Sequence, residues 1–191
     1  RGQSASGTIE RVAIVSLDFL ALSGAALGGF AEFKSRIAAA AGNCMHAHEI
    51  VLSCTHTHSA PESGALTDLY RTADYAGWLH YLILQIGQAI QAAYASGVPC
   101  QLSYGAASAG GLGIHRRFKT TRGIMMSHPE PPADVVVSRD GAVDDSVNVL
   151  AFRDRAGALS GWQDADSRRT NRLAHAAGSG GALWHPRTPP C

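Results

Sequence analysis

The sharpest chemistry in this sequence lies in Thr55, His56, Thr57, His58, Ser59, Ala60 and Pro61, where two imidazoles stand two positions apart directly after an apolar run. In strand-like geometry alternate side chains share a side, so His56 and His58 are expected to face one way. They would then reach one metal ion, or a metal ion and its substrate. Zinc suits neutral imidazole, and a catalytic zinc keeps one position open for water. A His-x-His pair also occurs as a packed structural pair or as two surface histidines, so spacing alone leaves those readings open.

A zinc site needs three or four ligands. His46 and His48 form a second His-x-His, but they precede the apolar run and should lie at its opposite end, as a solvated turn. His80 falls within a helical pattern, and His128, His175 and His185 fall in irregular segments where surface roles are the plain expectation. Arg116 and Arg117 follow a glycine-rich stretch. They are suited to holding a carboxylate, phosphate or oxyanion through bidentate contacts, or to forming a solvated basic loop. That stretch, residues 105–113, lacks the Gly-Lys-Ser/Thr ending of a phosphate-binding loop. Asp18 either orients an imidazole or caps the segment after it.

The elements that must position these residues can be read from periodicity. Residues 11–18, RVAIVSLD, and 49–55, EIVLSCT, are short apolar strands. Between them residues 23–41 are Ala- and Leu-rich with spaced charges, as in a helix packed on one side, and Gly42 and Asn43 end it. Strand, helix, strand predicts a right-handed parallel βαβ crossover, whose ligand-binding loops follow the strand C-termini. Both Asp18 and the histidine loop fall there. A long helix is expected over residues 73–96, with Trp78, Leu82, Ile86 and Ile90 inward and Leu79, Ile83 and Ala93 widening the face. A strand begins at Cys100, residues 105–140 read as a long irregular loop, and residues 146–152 and 158–162 read as two strands about a tight turn. The expected fold class is therefore α/β, a mostly parallel or mixed sheet with flanking helices over residues 1–162. Residues 163–191 have an atypical Arg-, Ser-, Gly- and Pro-rich composition, expected of a disordered or frameshifted tail.

Composition removes several function classes. Sixteen Lys and Arg against fifteen Asp and Glu leave a formal net charge of +1, without the basic stripe that nucleic acid needs. The four cysteines, Cys44, Cys54, Cys100 and Cys191, form no CxxC pair, and Cys54 and Cys100 are expected to be small buried hydrophobes. No apolar run reaches transmembrane length.

The segment VLSCTHTHSAP, residues 51–61, closely resembles the zinc-site motif of the neutral and alkaline, non-lysosomal ceramidases. Three further stretches are similar to that family in the same order: RVAIVSLDFL at 11–20, GIHRRF at 113–118 and DGAVDDSVNVLAFRDRAG at 140–157. The resemblance implies that His56 ligates Zn(2+) and that His58 stands near the scissile amide and the zinc-activated water. The family arginine falls on Arg116, with Arg117 one residue away as the alternative and His115 where Asn is common. A later family histidine in a His-Pro context matches His185-Pro186, while the Glu and Tyr ligands that follow it in the family lie beyond residue 191. The implied reaction is hydrolysis of ceramide to a sphingoid base and a fatty acid, part of sphingolipid metabolism. The implied setting is secreted or periplasmic, with peripheral membrane contact in a full-length protein. On this reading the chain is a fragment of the N-terminal catalytic domain with little or no turnover by itself. Two readings stand beside it: a related zinc hydrolase acting on another amide or an ester, and a non-enzymatic or inactive remnant.

Overall fold

The computed structural model describes residues 2–3, 9–111, 115–166 and 169–175. Its centre is a parallel pair, β3 (Ala13–Leu17) with β4 (Ile50–Cys54), in register from Ala13 opposite Ile50 to Leu17 opposite Cys54. The minimal strands β1 (Gly2–Gln3) and β2 (Ile9–Glu10) pair antiparallel ahead of it. The connection from β3 to β4 is helical but divided. α1 (Gly24–Leu27) ends at Gly28 and Gly29, both at positive φ, before α2 (Phe30–Ala40) starts. One helix was expected over residues 23–41. Two consecutive left-handed backbones break the hydrogen-bond ladder, and glycine adopts them without a Cβ clash.

α3 (Ala73–Ala95) begins at Thr72, whose hydroxyl accepts the Tyr75 amide at 3.3 Å. Its buried face is Tyr75, Leu79, Leu82, Ile83, Ile86, Gly87 and Ile90, the helical repeat expected of one core-facing stripe. Ala93, expected on that face, is exposed. The stripe meets Leu27, Phe33 and Ile37 from α1 and α2 and Leu17 and Ile50 from the strands, forming one core. At the α2–α3 crossing a Cβ built on Gly87 would lie 2.6 Å from the carbonyl carbon and Cβ of Ala40. The absent side chain therefore sets the interhelical distance.

The rest of the chain is antiparallel. β5 (Gln101–Ser108), β9 (Ser146–Arg153), β10 (Leu159–Asp166) and β11 (Arg169–His175) form one sheet in the order β11-β10-β9-β5. The β9–β10 hairpin is closed by Asp154, whose carboxylate accepts the amides of Ala156 and Ala158 at 2.9 Å, and by Gly157 at φ 85°. Of the stretch assigned to the atypical tail by composition, residues 163–166 and 169–175 pair within this sheet, and β11 approaches β3 and β4. Residues 105–140 are not a continuous irregular loop. β5 runs on through Ser108, and β6 (Arg117–Thr120), β7 (Gly123–Met126) and β8 (Val136–Arg139) make a three-stranded sheet in the order β7-β6-β8. Strands of four residues, RFKT, GIMM and VVSR, are too short for a period to be read.

The fold is thus α/β with mixed pairing, and among the described residues its parallel part is confined to β3 and β4. Cys100 is exposed, contrary to the buried role expected of it, because it precedes an edge strand whose residues are all exposed. No described helix is long and apolar enough to cross a membrane.

At the N-terminal end of the parallel pair, Arg11 Nε donates to Glu49 Oε1 at 3.1 Å and its Nη1 donates to the Cys44 carbonyl at 3.2 Å. The other Glu49 oxygen accepts the His46 amide at 2.6 Å. These contacts, the His46 amide first and then Arg11, hold the Glu49 carboxyl below the usual glutamate range.

Two measurements test this architecture. Gly87→Ala should force α2 and α3 apart and lower stability by about 1–3 kcal/mol, read as a fall in urea midpoint at unchanged m-value. A depressed carboxyl stabilises the fold above its unfolded-state pKa, and that contribution is lost as pH falls through the folded-state value. The urea midpoint should therefore drop as the solution is acidified through and below the ordinary glutamate range, and Glu49→Gln should flatten that drop.

Candidate functional site

Because β3 and β4 are parallel and in register, their C-terminal ends release two loops side by side, residues 18–23 and 55–67. The Leu17 carbonyl joins them at the root, accepting the amides of Phe19 and Thr55, each at 2.9 Å. Phe19 then turns onto Trp78 of α3 in an edge-on contact at 5.6 Å, and Tyr75 packs on the same indole at 5.1 Å. The loop after β3, which carries Leu20, is therefore anchored on aromatic rings from the first turns of α3.

β4 ends at Cys54, so strand alternation does not extend to the histidines. His56 instead has a left-handed backbone, φ 61°, uncommon for a residue with a side chain. The two rings still come together, with centroids 5.2 Å apart and planes at 89°. Their proximity thus arises from a turn in the backbone rather than from pleating. Beyond them Thr57 Oγ1 accepts the Ser59 amide at 3.2 Å, tightening the next turn.

The His56 ring has a defined orientation. Its Nδ1 lies 2.8 Å from the Leu20 carbonyl oxygen, which can only accept. Nδ1 therefore carries the proton, and Nε2 of the neutral ring presents a lone pair outward, where both imidazoles are exposed. Histidines that ligate metals are held in this way, by a carbonyl or carboxylate on the other ring nitrogen.

The loop behind the histidines is tied down twice. Ser63, only 1 % exposed, donates from Oγ to the Ala21 carbonyl at 2.6 Å, and its own carbonyl accepts the Ser23 amide at 3.0 Å. Glu62 accepts the Leu66 amide at 2.9 Å, the Thr67 amide at 3.3 Å and the Thr67 hydroxyl at 2.9 Å. These donors, the Leu66 amide foremost, hold its carboxyl below the usual range. Neither residue stood out in the sequence. Glu62 could have been noticed as an acidic residue shortly before a threonine turn, whereas nothing local announces that Ser63 is buried.

The other candidates lie elsewhere. Arg116 donates from Nε to Ser127 Oγ at 3.2 Å and approaches His128 Nδ1 at 3.3 Å, on the three-stranded sheet. Arg117 pairs with Asp140 at 3.1 Å. Among the described residues neither guanidinium bonds to His56 or His58. Asp18 is exposed at the end of β3, and His80 is exposed on α3. His46 and His48 stack at 5.5 Å at the opposite end of β4. His185 lies outside the described residues.

The donor set can be compared with what zinc requires. His56 offers a prepared Nε2, and His58 is its neighbour. Among the described residues no group of three or more His, Cys, Asp or Glu side chains is placed to hold a metal ion. Cys54, on the adjoining strand, is a poor further donor, because burial raises its thiol pKa and disfavours the thiolate that binds metal. Three hydroxyls on the elements around this end, those of Ser53, Thr55 and Tyr75, are buried without a partner among the described residues. The described residues thus supply one well-oriented imidazole nitrogen and a second imidazole beside it, short of the three or four donors of a zinc site.

No protein-family model matches the chain, and no curated protein sequence does. Among solved structures it is similar to the neutral ceramidase from Pseudomonas aeruginosa, with a TM-score of 0.54 and 22 % identity over 85 % of this chain. The match spans 24 % of that enzyme's chain, so this sequence corresponds to about a quarter of it. At that identity the likeness is one of fold, an α/β architecture with mixed sheets and flanking helices.

Proposed function

We propose that this chain contributes the histidine loop of a zinc-dependent amide hydrolase acting on fatty-acyl amides of the ceramide type. The observation that carries the reading is the Nδ1–H bond of His56 to Leu20, which leaves Nε2 free on a ring that cannot easily turn. The ceramidase-like fold and the THTHSAP motif support the same assignment.

In this reading His56 is a zinc ligand, and His185 is the candidate for another. A bound zinc would lower the pKa of a water molecule and polarise the amide carbonyl. His58, at right angles to His56 and exposed, would take or give a proton near the same spot, the role of a general acid or base, and its proximity to His56 supports this reading. Arg116 would provide a cation for the developing oxyanion or for the fatty-acid carboxylate, once released from Ser127 and His128. The lipid character of the substrate brings with it peripheral contact with a membrane surface and a secreted or periplasmic setting.

Metal analysis tests the proposal directly. The purified chain should retain zinc, His56→Ala should lose it, and His58→Ala should keep it. In any form with measurable turnover, His58→Ala should lower hydrolysis about 10²–10⁴-fold. A panel of ceramides, short acyl amides and esters would rank the substrate class. Zinc no higher in the wild-type chain than in His56→Ala would overturn the assignment.

A further inference from the structure

We infer that Ser63 and Glu62 are positioning residues for His56, acting through the Leu20 carbonyl. This inference rests on the assignment of His56 as the functional imidazole, though not on the identity of the metal.

The Leu20 carbonyl belongs to a loop without regular secondary structure, so its place must be fixed by its neighbours in the chain. On one side the fixed point is Leu17, bonded to Thr55. On the other side it is Ser63, whose Oγ–H meets Ala21, the next residue after Leu20, and whose carbonyl takes the Ser23 amide. Both Ser63 bonds thus go to the loop that orients His56, across a sequence separation of about forty residues. A serine acting only within its own loop would not make them.

Ser63 is also the one polar residue among the described ones to be fully buried. Removing its hydroxyl would leave the half-buried Ala21 carbonyl without its donor. Glu62 holds Ser63 from behind. By gathering two amides and a hydroxyl from Leu66 and Thr67, it closes the following turn and prevents residue 63 from swinging away. The sequence of restraints is Glu62 on its own turn, Ser63 on Ala21, Leu20 on Nδ1, and Nε2 left outward. Loosening any link lets the imidazole rotate or exchange its proton between nitrogens.

The test is nitrogen-15 NMR of the metal-free chain at mildly alkaline pH, with zinc affinity measured separately by chelator competition. An unrestrained neutral imidazole favours the Nε2–H form, so an Nδ1–H signature at His56 reports the restraint itself. The wild-type chain should show Nδ1–H alone. Ser63→Ala and Glu62→Ala should each admit the Nε2–H form and weaken zinc about 10–100-fold, with Glu62→Gln in between because its one carbonyl oxygen still accepts. If Ser63→Ala does not fold, the two Glu62 variants decide the matter. Folded variants that keep a pure Nδ1–H signal and wild-type zinc affinity would overturn the inference. A wild-type chain with the Nδ1–H signature but no zinc binding would defeat the metal assignment and leave the positioning role standing.

Discussion

One carbonyl, that of Leu17, controls the geometry at the C-terminal end of the parallel pair. It is the last acceptor of β3, and by taking the amides of both Phe19 and Thr55 it makes two loops leave the sheet from a common point. The parallel register brings Leu17 and Cys54 level, and the core beneath holds that register through Leu17, Ile50, Phe33 and the buried stripe of α3. A one-residue slip would move the apolar set of β4 to the wrong face and carry the histidines away from Leu20. The close crossing at Gly87 therefore matters to the site, because it lets the two helices that support the pair pack at their working distance.

The energetics of the histidine loop are close to balance. A left-handed backbone at a non-glycine residue costs about 1–2 kcal/mol, and a hydrogen bond of ordinary strength returns about 1 kcal/mol. The Leu20 bond alone scarcely offsets His56's conformation, so the buried Ser63 contact and the Glu62 turn are needed to hold it. The unpartnered hydroxyls of Ser53, Thr55 and Tyr75 weigh on the other side. Two of the three, Ser53 and Thr55, lie within three residues of His56 in the chain, so unmet polar groups and an uncommon backbone fall on the same stretch.

Much of this was legible in the sequence where a side-chain period was strong. The two parallel strands, the long helix with its Leu79, Leu82, Ile83 and Ile86 stripe, and the hairpin near Asp154 follow from apolar spacing and turn chemistry. What escaped was set by backbone conformation or by distant contacts. The helix break at Gly28 and Gly29 needed φ values that composition does not give, and β6 to β8, four residues each, are too short to show a period. At the site, the adjacency of His56 and His58 was readable, but the reason assigned to it, strand alternation, was not the one the fold uses. Ser63 was invisible because its partner is Ala21, a residue with no polar side chain and far away along the chain.

His56's backbone also limits how this position can change over evolutionary time. Residues that accept a left-handed conformation most readily are glycine, asparagine and aspartate, none of which carries an imidazole. Residues that imitate histidine's size, such as phenylalanine or leucine, would keep the volume while meeting the full steric cost of the turn. Replacement at 56 is therefore limited from two sides: glycine, asparagine and aspartate keep the turn and give up the imidazole, whereas leucine or phenylalanine give up the imidazole and meet the steric cost as well.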